Sequence, residues 1–135
     1  MAINHPKAGP NSIPAYQMSG IPYLTASANS EVSNSATSKI EFPYVTRFFQ
    51  VECTDATNGI RVGFSDAGVD GTNYFTVGTN SKSEIYEFRT KDLFIRGDGG
   101  SSDFRVIAGL TTISRDQFPT LTGSVNGNEG FDGIG

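Results

Sequence analysis

A series of apolar runs with a period of two residues, between residues 39 and 115, is the feature that most limits how this chain can fold. In IRVGFS, 60–65, apolar residues alternate with polar residues or glycine, and FRVIAGL, 104–110, repeats the alternation. Because successive side chains of a strand point to opposite faces, each run predicts a strand with one buried face. Clusters rich in Gly, Asn, Asp and Ser separate the runs and favour tight turns; they are TDATNG, SDAGVDGTN, GTNSKS and GDGGSSD. We therefore expect about six to eight short strands.

The composition also favours an all-β fold of one domain. The 135 residues include 16 glycines and 11% aromatic residues but no tryptophan, and a chain of this length buries roughly two-thirds of its unfolded surface. Only ISRDQF, 113–118, could form a helical turn, with Ser114 as its N-cap. A change of apolar parity beside Pro43, in KIEFPYVTRFFQVEC, predicts either a β-bulge or a break between two strands. The prediction is a single antiparallel β-sandwich or barrel.

The two ends of the chain differ from this core. Residues 1–38 contain four of the six prolines in a weakly charged background, and only SGIPYLTASA, 19–28, could add an edge strand, where proline is tolerated. The other end is the glycine-rich GSVNGNEGFDGIG. Such segments bury too little apolar surface to order themselves. The predicted organisation is an extended N-terminal arm, 1–38, a β-sandwich core, 39–115, and a C-terminal tail, 116–135.

Charge and cysteine content argue against several classes of function. The formal net charge is −4, and no basic run of the kind that binds nucleic acid is present. One cysteine, Cys53, and one histidine, His5, cannot form a disulfide or a zinc site of the usual spacing. Cys53 is expected to be a small buried hydrophobe. With no apolar signal region or membrane span in the sequence, we expect a soluble protein made in the cytoplasm of the producing cell.

The sequence shows no enzymatic site. His5 lies in the proline-rich arm, away from any rigid element, so it does not combine with a serine or cysteine into a catalytic set. The carboxylates Glu84 and Glu87, like Asp98 and Asp103, lie in or beside predicted turns, where charges are usually solvated. The chain is therefore predicted not to be an enzyme and to need no cofactor.

The stretch LFIRGDGGSSDFRVIAGL, 93–110, contains the triplet Arg96-Gly97-Asp98. It does not fit a phosphate loop, because Ser101 stands where a lysine is needed, and it does not fit a dinucleotide motif, because a strand follows instead of a helix. An adhesion ligand would need the triplet exposed at a loop tip. We interpret the stretch as a hairpin turn that opens at Gly97, since Gly-Asp-Gly-Gly suits such a turn. Use of the triplet as a ligand stays open.

A calcium loop is the other candidate site. In SDAGVDGTN, Asp66, Asp70 and Asn73 could supply oxygen ligands, and Gly71 would allow a sharp bend. The spacing is not that of an EF-hand, and a long strand connection explains the same residues. We predict no metal site, and these three residues are the calcium candidates if one exists.

Three stretches, FPYVTRFFQVEC, IRVGFSDAGVDGTNYFTV and KDLFIRGDGGSSDFRVIAGLT, resemble the core of small β-sandwich virion proteins of tailed bacteriophages. The resemblance covers residues 40–112 as a pattern of strands and turns, and the two ends match in character only. It implies a jelly-roll-like sandwich that decorates or cements the phage head, often as a trimer held by extended terminal arms. No functional residue is carried over from it.

The residues and the resemblance together predict a structural virion protein on the capsid surface, made in the host cytoplasm. Its expected partners are the major capsid protein or other virion proteins and further copies of itself, with a trimer favoured, but neither nucleic acid nor membrane. The arm and the tail would lie across neighbouring subunits and bury six apolar anchors: Ile13, Tyr16, Tyr23, Leu24, Phe131 and Ile134. The alternative is a glycan-binding β-sandwich of a phage tail or fibre that uses Tyr74, Tyr86 and Phe94.

Overall fold

The structure is a computed structural model that describes residues 20–27, 35–121 and 133–134. The strands in these residues are β1 (Ile21–Ala26), β2 (Ser38–Glu41), β3 (Tyr44–Cys53), β4 (Gly59–Gly63), β5 (Phe75–Val77), β6 (Ser81–Lys82), β7 (Asp92–Asp98) and β8 (Phe104–Ser114). A five-residue helix, α1, is Asp66–Asp70. A 3-10 turn, Arg115–Gln117, follows β8.

The strands form two antiparallel sheets of four strands each. The first sheet has the order β1-β8-β3-β6, and the second has the order β2-β7-β4-β5. Every connection between consecutive strands passes from one sheet to the other, except that between β4 and β5. This double-sheet arrangement is a jelly roll. The expected all-β, jelly-roll-like sandwich is confirmed.

The core lies between the sheets and follows the alternation of the strands. On β8, Phe104, Val106 and Ala108 are buried, whereas Arg105 and Ile107 between them are exposed. Both sheets contribute large side chains that are fully buried, among them Phe42, Phe49, Ile60, Leu93, Ile95 and Leu110. Burial of these apolar faces is the main stabilising term, at about 25 cal/mol for each Å² of apolar surface removed from water.

Pro43 lies between two strands and is followed by irregular pairing. β2 ends at Glu41 and β3 begins at Tyr44. The register of β3 against β8 shifts between Tyr44 and Thr46 and again between Thr46 and Phe48. The change of apolar parity near Pro43 therefore reflects both a strand break and bulges in β3.

Arg115 ties the end of β8 to two loops at one end of the sandwich. Its guanidinium donates hydrogen bonds of 2.6 Å to the carbonyl oxygens of Phe42 and Lys91, and one of 2.8 Å to Asp92 Oδ1. The helical turn expected over 113–118 is present as the 3-10 turn. Ser114 occupies the N-cap position, but its side chain makes no capping hydrogen bond.

β1 lies inside the segment 1–38 that the sequence predicts as an arm. It forms the edge strand expected within 19–28, at the side of the first sheet next to β8. Pro22 fits there because an edge strand leaves one side of its backbone unpaired. None of the helices in the described residues has the length and apolar content needed to cross a bilayer.

Candidate functional site

The outer face of the first sheet carries an apolar surface that is open to solvent. We refer to it as the apolar ladder, and it consists of Pro22, Leu24 and Ala26 on β1, Phe48 on β3 and Ile107 on β8. Leu24 is 74% exposed and Ile107 is 44% exposed. Pro22 and Ala26 are also exposed, and Phe48 is half-buried. The strand alternation that buries the core residues thus leaves these apolar residues on the opposite face.

The strand register places the ladder residues side by side. Leu24 on β1 lies opposite Ile107 on β8. Pro22 lies opposite Gly109, which in turn lies opposite Phe48 on β3. The Cβ atoms of a directly opposed pair such as Leu24 and Ile107 are about 5 Å apart, and Gly109 has no side chain to separate Pro22 from Phe48. The ladder is therefore one continuous surface across three strands.

A row of charged residues borders one end of the ladder. Ala26 lies opposite Arg105, Arg105 lies opposite Glu52, and Glu52 lies opposite Lys82 on β6. Among the described residues, none of these three charged side chains forms an ion pair. The row contains two cations and one carboxylate, although the whole chain has a net charge of −4. The ladder thus has a locally positive end on an acidic protein.

A depression of about 580 Å³ lies where the ladder meets the charged row. Its walls combine aliphatic side chains with polar ones, including Leu24, Ala26, Ile107, Gln50, Glu52 and Lys82. Exposed apolar surface bordered by polar residues is typical of interaction sites in soluble proteins. The arrangement suits the burial of a partner's apolar side chains, with charged groups at the border.

A second exposed apolar pair, Ile85 and Phe88, lies on the connection 83–90 at the opposite edge of the first sheet, with exposures of 60% and 51%. This connection runs beside β3, where Phe49 and Tyr86 exchange two backbone hydrogen bonds of 2.9 Å. The rings of Tyr86 and Phe88 stack with centroids 5.6 Å apart, and Phe49 packs against both. Phe88 therefore forms the border of an aromatic cluster of its own chain.

The Arg-Gly-Asp triplet lies within β7, which continues to Asp98, so the expectation that Gly97 opens the turn is wrong. The turn follows at Gly99, whose φ of 83° favours glycine. Arg96 Nη1 lies 2.9 Å from Asp70 Oδ1 on α1, and the Asp98 carboxylate lies 3.0 Å from an arginine of β4. Both charged groups of the triplet are therefore engaged on the outer face of the second sheet and are not displayed at a loop tip.

The calcium candidates lie on and after α1, a helix where the sequence predicts a loop. Ser65 caps this helix, because its hydroxyl oxygen accepts a backbone hydrogen bond from the third helical residue. Asp66 and Asp70 are the first and last residues of α1, and Asn73 follows it. The guanidinium of Arg96 already occupies the Asp70 carboxylate. The described part of the chain contains no group of three or more His, Cys, Asp or Glu residues that could hold a metal ion.

The three aromatic residues considered for sugar binding do not share one platform. The Arg61 guanidinium lies 4.5 Å from the ring centroid of Tyr74, and Lys39 Nζ lies 5.8 Å from that of Phe94. Tyr86 packs inside the aromatic cluster beside β3. Each ring thus already contacts a side chain of its own chain.

The predicted interface anchors have different surroundings. Three of them lie outside the described residues: Ile13, Tyr16 and Phe131. Tyr23 points inward and packs edge-on against Phe42, with ring centroids 5.2 Å apart, whereas its neighbour Leu24 points outward into the ladder. Ile134 is half-buried, and its carbonyl oxygen accepts a hydrogen bond from its own chain.

Of the five ladder residues, only Leu24 was predicted from the sequence as an anchor; Pro22 and Ala26 lie in the expected edge strand, and Ile107 and Phe48 were not found. A signal for Ile107 is present in FRVIAGL, because an isoleucine stands at a position that the alternation turns outward. Phe48 gives no such signal, since the bulges change the parity of β3 just before it. The ladder could therefore be only partly anticipated from the sequence.

The end of β3 and the turn that follows it contain two residues of chemical interest, and this turn joins the two sheets. Cys53 is buried, as expected, and its thiol lies 3.4 Å from the carbonyl oxygen of Asn58. The backbone N–H groups of Asn58 and Thr57 donate hydrogen bonds of 2.8 and 2.7 Å to the carboxylate of Asp55. These bonds hold the pKa of Asp55 below its usual value. The carboxylate is therefore an ionised cap of the turn.

No family model matches the chain, and no curated protein or solved structure is significantly similar to it. The features of the described residues that bear on function are therefore the jelly roll and the apolar ladder.

Proposed function

We propose that this protein is a structural component of a tailed-phage particle that decorates or cements the capsid surface. Jelly rolls occur both in viral capsid proteins and in lectins, and a fold alone does not decide between such functions. The observation that carries the proposal is the apolar ladder, with Leu24 at 74% exposure. Exposed aliphatic residues on a sheet face are stabilised when another protein covers them. The strand pattern's resemblance to small virion proteins supports the same role.

The major capsid protein is the partner that we assign to the ladder. The ladder offers aliphatic side chains in its centre and Lys82 and Arg105 at its border. Its complement is an apolar patch with acidic neighbours, because opposite charges around an apolar centre favour specific association. On a shell the same contact is repeated many times. Each contact can then be weak while the assembly is strongly stabilised.

The N-terminal segment joins the first sheet beside this surface. The N–H of Gly20 donates a hydrogen bond of 2.8 Å to the carbonyl oxygen of Leu110, next to β1. Residues 1–19 therefore start from the edge of the sheet that carries the ladder. A segment of this length spans up to about 65 Å when extended, which is enough to reach a neighbouring subunit. Ile13 and Tyr16 are the apolar anchors that we assign to this contact.

The glycan-binding alternative has less support from the geometry. A sugar that stacked on Tyr74 or Phe94 would compete with Arg61 or Lys39 for the ring face. By contrast, nothing in the described residues covers the side chain of Leu24, which is 74% exposed. The assembly role is therefore the function that the geometry supports best.

The amount of protein on purified particles tests this proposal. Leu24→Lys and Ile107→Lys each place a charge in the ladder, and Ile85→Lys is the matched control, since Ile85 is 60% exposed at the other edge of the sheet. Particles from cells that produce each variant in place of the wild type are analysed by quantitative mass spectrometry. We expect the ladder variants to lose about tenfold in occupancy or more, and the control to retain it.

Two results would contradict the proposal in different ways. Absence of the wild-type protein from purified particles would overturn the structural role itself. Equal occupancy for the wild type and all three variants would show that the ladder is not the contact surface.

A further inference from the structure

The edge of the first sheet at β1 leaves main-chain hydrogen-bonding groups without a strand partner among the described residues. The β1–β8 register, extended by one residue, places Ser27 opposite Phe104, and the N–H of Ser27 donates a hydrogen bond of 3.0 Å to the carbonyl oxygen of Phe104. Along an antiparallel pair, residues alternate between those bonded to the neighbouring strand and those whose main chain points away from it. The N–H and C=O groups of Leu24 and Ala26 therefore point away from β8, towards the free side of the sheet.

The other three edges of the two sheets are shorter or carry charges. β5 has three residues and β6 has two, and β2, with four residues, carries an ion pair of 3.1 Å between Lys39 and Glu41. Short edge strands and charged side chains are features that keep a sheet from pairing with another chain. β1 has six residues and no charge, and its only protective residue is Pro22. Among the described edges, β1 is thus the one most open to an added strand.

We propose that β1 pairs with β1 of a second copy, antiparallel and about a two-fold axis, so that two first sheets join into one sheet of eight strands. A strand edge with free N–H and C=O groups binds another strand through its main chain, and a two-fold axis lets the same edge serve both copies. The pairing joins two sandwiches directly and gives a dimer, whereas the resemblance to virion proteins implies a trimer held by terminal arms. It does not depend on the capsid role, because it applies to the free protein as well.

The free groups select one register for this pair. When Leu24 lies opposite Ala26 of the second copy, the N–H and C=O groups of both residues have partners, and four main-chain hydrogen bonds form. When Leu24 instead lies opposite Leu24 of the second copy, Ala26 faces Pro22, which has no N–H to donate. The first register also puts Thr25 on the two-fold axis, in a pair without hydrogen bonds, where the Cα atoms are about 4.5 Å apart.

The side chains on the outer face are compatible with this register. Leu24 lies beside Ala26 of the second copy, so its exposed side chain gains an apolar neighbour on the side away from Ile107. In the same line across the strands, Arg105 is followed by Ala26 and then by Leu24 of the second copy, so the charged rows of the two copies do not meet. Like charges directly opposite each other would be destabilising. The apolar ladder of one copy thus continues into the ladder of the other.

Hydrogen exchange in the purified full-length protein tests the pairing without any substitution. The six residues of β1 form a small contact beside the roughly 20–30 residues a side of a standard interface, so exchange is compared by NMR at about 10 μM and about 1 mM protein. We expect the amides of Leu24 and Ala26 to exchange about threefold more slowly, or slower still, at the higher concentration. The amide of Lys39 is the control, because the same alternation points it to the free side of the charged edge strand β2, and its exchange should not change.

Disulfide trapping tests the register. Thr25→Cys places a thiol on the proposed two-fold axis, where a Cα separation of about 4.5 Å lies within the range of disulfides. The native Cys53 is buried and does not interfere. After oxidation at about 1 mM protein, we expect a linked dimer of Thr25→Cys at several-fold the yield of Thr76→Cys. Thr76 is the more exposed of the two positions, so random collisions would favour the opposite result.

A proline substitution disrupts the pairing without removing a hydrogen bond to β8. Ala26→Pro deletes an N–H that points to the free side, and proline is tolerated at such positions of an edge strand. In the dimer it removes two of the four main-chain hydrogen bonds. Added to Thr25→Cys, it should lower the disulfide yield to that of Thr76→Cys, and urea unfolding checks that the variant is folded. An undiminished yield in the folded variant would contradict pairing through the main chain.

The remaining outcomes separate the second copy from other occupants of the edge. Fast exchange of the Leu24 and Ala26 amides at both concentrations, without excess disulfide, overturns pairing between copies; protection of these amides only on purified particles would then assign the edge to another virion protein. Slow exchange in a protein that is monomeric by light scattering shows that its own chain covers the edge, and it also overturns the pairing. Slower exchange at the higher concentration without excess disulfide overturns the register at Thr25. Absence of the protein from particles would overturn the proposed function and leave all these results unchanged.

Discussion

The outer faces of the two sheets differ in the interactions that their side chains make within the chain. On the second sheet, Arg96 pairs with Asp70 at 2.9 Å and Arg61 pairs with Asp98 at 3.0 Å. On the first sheet, the ladder leaves Leu24 74% exposed, and the charged row beside it has no ion pair among the described residues. Charged side chains that are paired within the chain are compatible with exposure to water, whereas exposed aliphatic side chains favour contact with a protein partner. This difference favours the first sheet as the contact face in the proposed assembly role.

The largest expected effect comes from placing charges on one face and not on the other. The double variant Leu24→Lys/Ile107→Lys should reduce particle occupancy by roughly a hundredfold, since both aliphatic contacts are lost and two charges would be buried. Thr76→Lys, at an exposed position on the outer face of the second sheet, should leave occupancy unchanged. Quantitative mass spectrometry of particles measures both. A similar loss for Thr76→Lys would remove the distinction between the faces.

Deletion of residues 1–19 should have a smaller effect, about tenfold in occupancy, because the arm contact is lost while the ladder remains. β1 begins at Ile21, so the deletion leaves the first sheet complete. The full-length double variant Ile13→Ser/Tyr16→Ser is the matched control for chain length and should lose occupancy to a similar extent. Unchanged occupancy after the deletion would show that the arm makes no contact on the particle.

Two arginines allow the faces to be compared through stability. Arg96→Ala should lower the free energy of unfolding by about 1 kcal/mol, because the side chain loses its pair with Asp70 and the packing of its stem; its side chain is only 14% exposed. Arg105→Ala, on the first sheet, should change it by less than about 0.5 kcal/mol. Urea unfolding measures both values. Equal destabilisation would mean that the charges of the two faces are satisfied to the same degree.

The smallest expected effect concerns the turn that joins the two sheets. Its hydrogen bonds lower the pKa of Asp55 from the usual value of 3.8, so the carboxylate stabilises the fold above that pH and the stabilisation disappears as pH falls through the folded-state pKa. Asp55→Ala should therefore have a lower urea midpoint than the wild type at pH 7, and the difference should shrink at about pH 3. A difference that is the same at both pH values would contradict this role of the carboxylate.

The fold class could be predicted from the sequence because it depends on local alternation. The pattern of FRVIAGL correctly places Phe104, Val106 and Ala108 in the core. The strand order could not be predicted, because β1 pairs with β8 near the other end of the chain and no local signal encodes that pairing. The end of β7 was misjudged for a related reason. Gly97 suggests a turn, but pairing with Ile60 on β4 keeps it in the strand.

Only one residue of the candidate site, Leu24, could be predicted from the sequence as a contact residue, because the others join the surface through strand pairing. Leu24 was expected to be an anchor, and its exposure is consistent with that role. Its neighbour Ile107 becomes part of the same surface only through the β1–β8 register. A Cβ atom at position 68 would collide with the carbonyl oxygen of Ile134, far along the chain, as well as approach nearby atoms of Ser65 and Asn73. Surfaces formed by distant segments need the tertiary structure before they can be recognised.

Thiol labelling of one residue on each outer face tests the central claim most directly. Leu24→Cys and Thr76→Cys each place a thiol at an exposed position, and the native Cys53 is buried. A maleimide reagent is applied to the free protein and to purified particles, and the labelled fraction is measured by mass spectrometry. We expect the thiol introduced by Leu24→Cys to react in the free protein and to be protected on the particle, and that of Thr76→Cys to react in both. Equal labelling of the Leu24→Cys variant in the two states would contradict the assignment of the first sheet as the contact face.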